Sequence, residues 1–307
     1  MSVSQQPTNL LEAVRYFADT DVATDFVAKM RWPNGPVCPR CESTEYSYLT
    51  TRRVWKCKSC KKQYSVKVGT IFEDSALGLD KWLPAVWLIA NAKNGISSHE
   101  LGRALGVTQK STWFMLHRIR LAMQSGSLDN FSGTVEVDET YIGGKARNMN
   151  AKTRKRSPVG NAKVGKTAVL GIIERGGQVR AAVIPDTKKP TLHRHVKDAV
   201  APGSSVYTDN HYSYIGLDND FDHKVIDHAV RYVDGNVHTN HMENFWSLLK
   251  RGLHGTYISV EPFHLFRYLD ERVFTFNMRD TTDYGRFVAV LRAAAGRRLT
   301  YAELTGK

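Results

Sequence analysis

The sequence predicts an α/β protein: a sheet with helices packed on it, preceded by a small cysteine-bearing ribbon and a pair of helices. Three observations support this organisation. Apolar residues alternate with polar ones and end in a carboxylate at Asp138 and again at Asp209. Two Cys-x-x-C pairs lie upstream of both carboxylates. Between the cysteines and Asp138, a short helical pattern is followed by a glycine turn and a second helical pattern.

All 4 cysteines of the chain lie in the two pairs, Cys38 with Cys41 and Cys57 with Cys60. Their spacing is typical of a structural Zn²⁺ site that four thiolates close tetrahedrally. Disulfides are a poorer explanation in a chain expected to be cytosolic, and a redox pair would explain one Cys-x-x-C but not both. Strand-like alternation between the pairs predicts a ribbon that the metal holds together.

The ribbon has a basic surface that includes Arg52 and Arg53. Such residues are candidates for contacts with DNA phosphates, because phosphate contacts supply much of the affinity in protein–DNA complexes. A solvated polar rim is the alternative interpretation, and the sequence leaves both open.

Residues 97–107 read as a capped short helix followed by a glycine turn, and a second helix starts at Thr108. This pattern predicts a helix-turn-helix with Gln109, Lys110 and Thr112 near the start of its recognition helix, where they would contact DNA. An ordinary helical hairpin that joins the ribbon to the rest of the chain is the alternative.

The order of elements after the helix pair is that of a ribonuclease-H-like sheet with helices packed on it. A strand ending at Asp138 is followed by two hairpin strands, a helix, a strand ending at Asp209 and a helix that contains Glu243. Strand ends commonly display site residues. We expect Glu136 and Glu139 on the sheet face opposite Asp138.

Asp138, Asp209 and Glu243 are candidate ligands of divalent cations. Three carboxylates brought together repel one another unless a cation lies among them, and hard cations such as Mg²⁺ take oxygen ligands. Two such ions can clamp the attacking and leaving oxygens of a phosphodiester. Lys250 lies two helical turns after Glu243 on the same helix face. Chance placement of acidic residues at strand ends also explains this pattern taken alone, but together with the basic composition, the cysteine ribbon and the helix pair it favours phosphoryl transfer on nucleic acid.

The composition favours a polyanionic partner. The 307 residues include 43 Lys and Arg against 30 Asp and Glu, a formal net charge of +13, which predicts salt-sensitive binding. A basic stretch beside the first carboxylate contains Lys155 and Arg156, which we expect to contact DNA. The N-terminus lacks the pattern of a secretory signal, and no apolar run approaches the roughly 20 residues that span a bilayer. We therefore expect a cytoplasmic protein associated with the nucleoid when bound to DNA.

Four blocks of the sequence resemble bacterial insertion-sequence transposases of the acidic-triad (DDE) class that carry an N-terminal zinc ribbon, a group related to the Merlin transposases. The blocks are the four cysteines, residues 137–144, residues 207–209 and residues 238–250. The resemblance spans most of residues 20–280, and the last block is its most specific part.

This resemblance implies a ribonuclease-H-like domain that uses two Mg²⁺ or Mn²⁺ ions to cleave transposon ends and transfers the freed 3′ hydroxyl to target DNA. It implies Asp138, Asp209 and Glu243 as metal ligands, with Asn240 as the alternative third ligand, and Lys250 as a DNA contact near the scissile phosphate. It also implies a homodimer or larger assembly on DNA. The alternatives are a non-catalytic DNA-binding regulator and a nuclease or resolvase of the same fold.

We expect five segments along the chain. They are N-terminal helices over residues 1–30, the zinc ribbon over 31–68, the helix-turn-helix region over 69–127, the ribonuclease-H-like transposase domain over 128–280, and a C-terminal tail over 281–307.

Overall fold

The computed structural model describes residues 6–124, 129–144, 165–226 and 238–307. The chain divides into two compact units, one formed by residues 1–124 together with 280–307 and the other by residues 125–279. No helix within the described ranges is long and apolar enough to cross a membrane. Lys155 and Arg156 lie outside the described residues.

The first unit combines helices with a three-stranded antiparallel ribbon. Its elements before residue 124 are α1 (Leu10–Phe17), α2 (Thr20–Arg31), β1 (Tyr46–Leu49), β2 (Val54–Cys57), β3 (Gln63–Tyr64), α3 (Leu79–Asn91), α4 (Ser98–Leu105) and α5 (Gln109–Met123). The start of α4 is capped as the sequence predicts, because the Ser97 side chain accepts from the Glu100 N–H at 3.1 Å. Gly106 ends α4 with a φ of +64°, which favours glycine.

The described residues of the second unit form a five-stranded mixed sheet with helices on both faces. Its elements are β4 (Thr134–Ile142), β5 (Thr167–Glu174), β6 (Val179–Ile184), α6 (Lys189–Ala199), β7 (Ser205–Asp209), β8 (Asp222–Ile226), α7 (Asn240–Gly252) and α8 (Leu265–Asn277). The strands are ordered β6-β5-β4-β7-β8. β4, β5 and β6 pair antiparallel, whereas β7 and β8 continue the sheet in parallel with β4.

Alternating side chains of the strands pack into two apolar cores, one on each face of the sheet. Val135 and Val137 of β4 pack with Leu192 and Val196 of α6 on the first face. Alternate residues of β5 pack on the second face with α7 and α8; the buried residues of α7 there are Met242, Phe245, Trp246 and Leu249. The sheet is therefore held from both sides by apolar burial, which is the dominant favourable term in folding.

The C-terminal residues complete the first unit. The sequence leaves the role of residues 281–307 open. In the structure they form α9 (Asp283–Ala293) and α10 (Tyr301–Thr305). Phe287 of α9 is fully buried, with its ring centroid 5.2 to 6.1 Å from those of Phe17, Phe26 and Trp87. The tail thus supplies part of an aromatic core.

Candidate active site

Asp138 lies in the middle of β4, not at its end as the alternation predicted. The strand continues to Ile142 because those residues remain paired with β5, whereas the pairing of β4 with β7 stops at Glu136 and Tyr207. Asp138 therefore lies just beyond the point where β4 loses its parallel neighbour. Separating strands open space at a sheet edge, and sites in α/β sheets commonly form there.

Both carboxylate oxygens of Asp138 accept hydrogen bonds. The indole Nε1–H of Trp246 donates to Oδ2 at 2.9 Å, and the backbone N–H of Glu139 donates to Oδ1 at 2.8 Å. Burial raises the pKa of Asp138 to about 7, and the neighbouring charges of Glu139 and Asp209 act in the same direction. This carboxylate is thus half-buried among like charges, an environment that a cation would stabilise.

Asp209 ends β7 and is level with Asp138. The parallel register pairs Glu136 with Tyr207, so two residues further along each strand Asp138 and Asp209 occupy corresponding positions. Side chains separated by two residues share a sheet face, which places both carboxylates on the face that α7 covers. The backbone N–H of His211 donates to Asp209 Oδ1 at 3.2 Å.

Glu243 lies on the exposed side of α7. Glu243, Trp246 and Lys250 are separated by three and four residues, so they form one stripe along the helix. Because Trp246 donates to Asp138, this stripe borders the carboxylate. Asn240, the first residue of α7, is also exposed, so the geometry keeps it as the alternative third ligand.

Asp138, Asp209 and Glu243 lie on elements that pack together, but their carboxylates do not form a tight cluster. Within the described ranges, two sets of three or more metal-binding side chains have all their ligand atoms within 4.8 Å of one another: the four cysteines, and Glu136 with His238 and His241. Asp138, Asp209 and Glu243 are not a third such set, so at least one pair among them is farther apart than this.

Gly171 is a residue of the site that the sequence analysis missed. It pairs with Asp138 across β4 and β5. A Cβ at this position would lie 2.2 Å from Met242 Cε and 2.6 Å from Trp246 Cζ2. The absence of a side chain therefore lets α7 approach the sheet closely enough for Trp246 to reach Asp138. A lone glycine in a strand pattern is the signal that could have indicated this close approach.

The two glutamates that flank Asp138 lie on opposite faces of β4. Glu139 is on the predicted face, where the buried Tyr214 hydroxyl donates to its Oε2 at 2.6 Å. The prediction for Glu136 is wrong: it shares the face of Asp138, because residues two apart in a strand point the same way. The N–H of His241 in α7 donates to Glu136 Oε2 at 2.9 Å, which confirms this side.

The four cysteines of the ribbon converge. Sγ of Cys38 lies 3.7 Å from Sγ of Cys60, and Sγ of Cys41 lies 3.5 Å from Sγ of Cys57. Sulfurs bound at about 2.3 Å to a tetrahedral zinc lie about 3.8 Å apart, so the donor set fits a structural Zn²⁺. The N–H of Cys60 donates to the Cys57 sulfur and helps to lower the pKa of Cys57 to about 6, which favours the thiolate that zinc requires.

Family comparisons match both regions. Residues 130–277 match the model described as the ISXO2-like transposase domain, and residues 18–63 match the transposase zinc-ribbon domain. An uncharacterized transposase-like protein of Haemophilus influenzae is 33% identical over 101 residues, which cover 33% of this chain and 81% of that protein. The chain belongs to the ISXO2-like DDE transposase family.

A longer match covers most of the transposase. An uncharacterized protein in transposable element ISH50 of Halobacterium salinarum is 28% identical over 253 residues, 78% of this chain and 85% of that protein. The predicted resemblance to zinc-ribbon insertion-sequence transposases is therefore confirmed.

Thr112 does not fit its predicted role as a DNA contact of the transposase. Its side chain is fully buried, and its hydroxyl donates to the Ser98 carbonyl at 2.7 Å, so it joins α5 to α4. Gln109 and Lys110, three and two residues earlier, are exposed. Gln109 Nε2 donates to Ser98 Oγ at 2.9 Å, and the Lys110 ammonium lies 5.1 Å from the Tyr301 ring centroid.

The two candidate arginines of the ribbon differ in their surroundings. Arg53 forms a two-point ion pair with Asp21, in which Nη2 donates to Oδ2 at 3.1 Å. Arg52 is exposed on the adjacent turn. A guanidinium already paired with a carboxylate has less to gain from a phosphate, so the geometry favours Arg52 over Arg53 as a phosphate contact.

Proposed function

We propose that this transposase binds the inverted repeats at transposon ends, cleaves phosphodiester bonds there with divalent metal ions, and transfers the freed 3′ hydroxyl to target DNA. The observation that carries the proposal is the hydrogen bond from Trp246 to Asp138. It ties the helix that bears Glu243 and Lys250 to a half-buried carboxylate at the strand position corresponding to Asp209.

Asp138 and Asp209, with Glu243 or Asn240 as the third ligand, would hold two Mg²⁺ or Mn²⁺ ions. The fit follows from the electrostatics: burial and two neighbouring carboxylates raise the pKa of Asp138 to about 7, and bound cations would remove that repulsion. Bound there, such ions would supply Lewis-acid chemistry for the attacking and leaving oxygens of the phosphodiester.

The chain itself supplies orientation. Trp246 and the Glu139 N–H fix the two oxygens of Asp138, so its remaining lone pairs have set directions. Lys250, two turns beyond Glu243, would contact a phosphate oxygen of the DNA near the scissile bond as a point charge. Glu139, held by Tyr214 on the opposite face, contributes negative potential rather than ligand atoms.

We also assign the second unit to the ribonuclease-H-like class. Three antiparallel strands followed by two parallel ones, with helices on both faces, support this assignment. It corresponds to the segment 128–280 expected from the sequence.

The helix pair α4–α5 and the ribbon would recognise the DNA ends. α5 starts one tight turn after α4. A Cβ at Gly102 of α4 would lie only 2.9 Å from the Val107 carbonyl oxygen in that turn, so glycine allows the two helices to pack closely. This packing supports a helix-turn-helix in which Gln109 and Lys110 face DNA, with Arg52 contacting phosphate from the ribbon. Two copies of the chain on two ends would form the assembly that catalyses joining.

A strand-transfer assay tests the proposal. Purified protein is incubated with labelled element ends, supercoiled target plasmid and Mg²⁺, and the products are separated on a denaturing gel. We expect Mg²⁺-dependent cleavage at the ends and labelled strands joined to the plasmid. Cleavage without joining would identify a nuclease or resolvase, and retarded but uncut DNA would identify a DNA-binding regulator.

A further inference from the structure

Glu136 is a buried carboxylate with a full set of donors. Its side chain is 0% exposed. Backbone N–H groups of His241 and Met242 donate to Oε2 at 2.9 and 3.2 Å, and His241 Nδ1 and Arg175 Nε lie 2.7 and 2.8 Å from Oε1. A buried charge paired and hydrogen-bonded in this way is costly to disturb, because loss of one partner leaves the others unsatisfied.

Glu136 lies on β4 but caps the N-terminus of another element, α7. α7 begins at Asn240, and the side chain of its N-cap residue, Thr239, makes no capping hydrogen bond. The first-turn N–H groups that a local cap would satisfy point instead to Glu136 on β4. A negative charge also interacts favourably with the N-terminal end of the helix dipole.

Glu136 and Asp138 together attach β4 to α7 at two points along the helix. Glu136 binds the first turn of α7, and Asp138 accepts from Trp246, one turn further along. Two attachment points fix the rotation of a helix as well as its distance from the strand. They therefore set where the stripe of Glu243 and Lys250 lies relative to Asp138.

Glu136, His238 and His241 also have their ligand atoms within 4.8 Å of one another, as a metal site would require. The Arg175 guanidinium, however, already supplies a positive charge there. Its Nε donates to Glu136 Oε1 at 2.8 Å and its Nη2 lies 3.0 Å from His238 Nδ1. An ion pair between the buried Glu136 and the partly exposed Arg175 accounts for the cluster without a metal ion.

We propose that Glu136 is a positioning residue: a buried cap that holds α7 so that Glu243 and Asp138 can share divalent metal ions. The inference rests on the proposed function, because it takes those two carboxylates as metal ligands. Glu136 itself acts through the helix and contacts neither the ions nor DNA.

The test replaces Glu136→Gln, which keeps the shape but loses the charge and presents an amide N–H₂ to groups that are themselves donors. We expect the Mg²⁺ concentration for half-maximal cleavage to rise roughly 10- to 100-fold, the usual cost of disturbing the residues that orient metal ligands. The rate at saturating Mg²⁺ should fall much less. Glu136→Asp, which keeps the charge on a shorter side chain, should restore part of the Mg²⁺ affinity.

Asp186→Asn is the matched control. Asp186 accepts from the Lys188 N–H at 3.0 Å and the Thr191 hydroxyl at 2.7 Å at the start of α6, in the same unit. Asn keeps an oxygen that can accept both hydrogen bonds, so this change removes only a carboxylate charge before α6 and should leave the Mg²⁺ requirement unchanged. An equal shift in both variants would show a general stability effect and overturn the inference.

A second readout needs no activity. With 5-fluorotryptophan incorporated, the ¹⁹F resonance of Trp246, assigned with Trp246→Phe, should shift in Glu136→Gln and stay unchanged in Asp186→Asn. If the wild type does not cleave DNA but the resonance shifts, the proposed function fails while the helix-positioning contact stands. An unchanged resonance and an unchanged Mg²⁺ requirement overturn the inference.

If Glu136→Gln does not fold, His241→Ala replaces it. This change removes one donor to Glu136 and keeps the backbone bonds. It should shift the Mg²⁺ requirement and the Trp246 resonance in the same direction by a smaller amount. Zinc analysis of the wild type tests whether Glu136, His238 and His241 bind a metal ion instead. We expect one Zn²⁺ per chain. A second Zn²⁺ that is lost in His241→Ala would overturn the assignment of Glu136 as a cap.

Discussion

The zinc ribbon brings four cysteines together and the mixed sheet positions the carboxylates that we propose as metal ligands, but different forces place the two sets. The ribbon has three short strands, and within it the cysteine sulfurs come as close as 3.5 Å. The sheet has an apolar core on each face. Its carboxylates are placed by strand register and by the docking of α7, before any cation binds.

Under the proposed function, metal therefore has a different role in each region. In the ribbon, the free energy of metal binding is the free energy of folding, because a segment this small buries too little apolar surface to fold alone. In the sheet, the scaffold folds first and places Asp138 and Asp209 at corresponding strand positions, so under the proposed function metal is needed for chemistry and not for structure.

The largest expected effect is loss of zinc from the ribbon. In Cys57→Ser, Cys60→Ser the metal cannot be held tetrahedrally, and structural zinc sites contribute about 10–16 kcal/mol of apparent binding free energy. We expect residues 31–68 to lose protection from hydrogen exchange, while β4 and β5 keep theirs. Specific binding to element ends should weaken as well. Retained protection of the ribbon without zinc would contradict the comparison.

The next effect concerns the carboxylates of the sheet. Asp138→Asn is nearly isosteric, and its carbonyl can still accept from Trp246, so the unit should stay folded. Cleavage should fall by at least about 10³-fold, or about 4 kcal/mol in activation free energy, because the proposed site loses a metal ligand. Single-turnover cleavage measures this, with DNA binding as the control for folding. A rate within about tenfold of wild type would remove Asp138 from the site.

Gly171→Ala tests how closely α7 must approach the sheet. The added methyl group would overlap Met242 and Trp246, and overpacking of this kind costs about 1–3 kcal/mol. Chemical denaturation should show this loss. Gly255→Ala is the control, since nothing lies within 4 Å of a Cβ placed there. If the two variants were equally stable, the close contact of Trp246 with β5 would not matter for the site.

The smallest effect separates the two ribbon arginines. Arg53→Gln breaks an exposed ion pair with Asp21 and should change stability by less than about 1 kcal/mol. Arg52→Gln should reduce DNA affinity and lower the slope of log K against log salt by about 1, whereas Arg53→Gln should change that slope less. Fluorescence anisotropy over a salt series measures both. A larger change of slope for Arg53→Gln would reverse the assignment.

Local patterns predicted much of the fold. The cysteine spacing indicated the ribbon, the end of β7 at Asp209 followed from its short apolar run, and the apolar spacing after Asn240 indicated the helix that became α7. Each of these features depends on residues that are neighbours in sequence. The roles of Asp138, Asp209, Glu243 and Lys250 stay predictions.

What the sequence did not show depends on contacts between distant segments. The extra length of β4 comes from its pairing with β5, and the burial of Thr112 comes from its hydrogen bond to α4. Neither partner is apparent from the local pattern. The position of Glu136 is different, since period-two alternation alone places it on the face of Asp138. That error was one of interpretation and not of missing information.

The most direct test of the account is the position of a bound cation. Crystals of the protein soaked in Mn²⁺ would show it by anomalous scattering. We expect peaks bounded by the carboxylates of Asp138 and Asp209, with Glu243 or Asn240 completing the ligands. Mn²⁺ bound away from Asp138 and Asp209, or its absence at saturating concentration with element-end DNA present, would contradict the claim that these two strands and α7 form a metal-dependent active site.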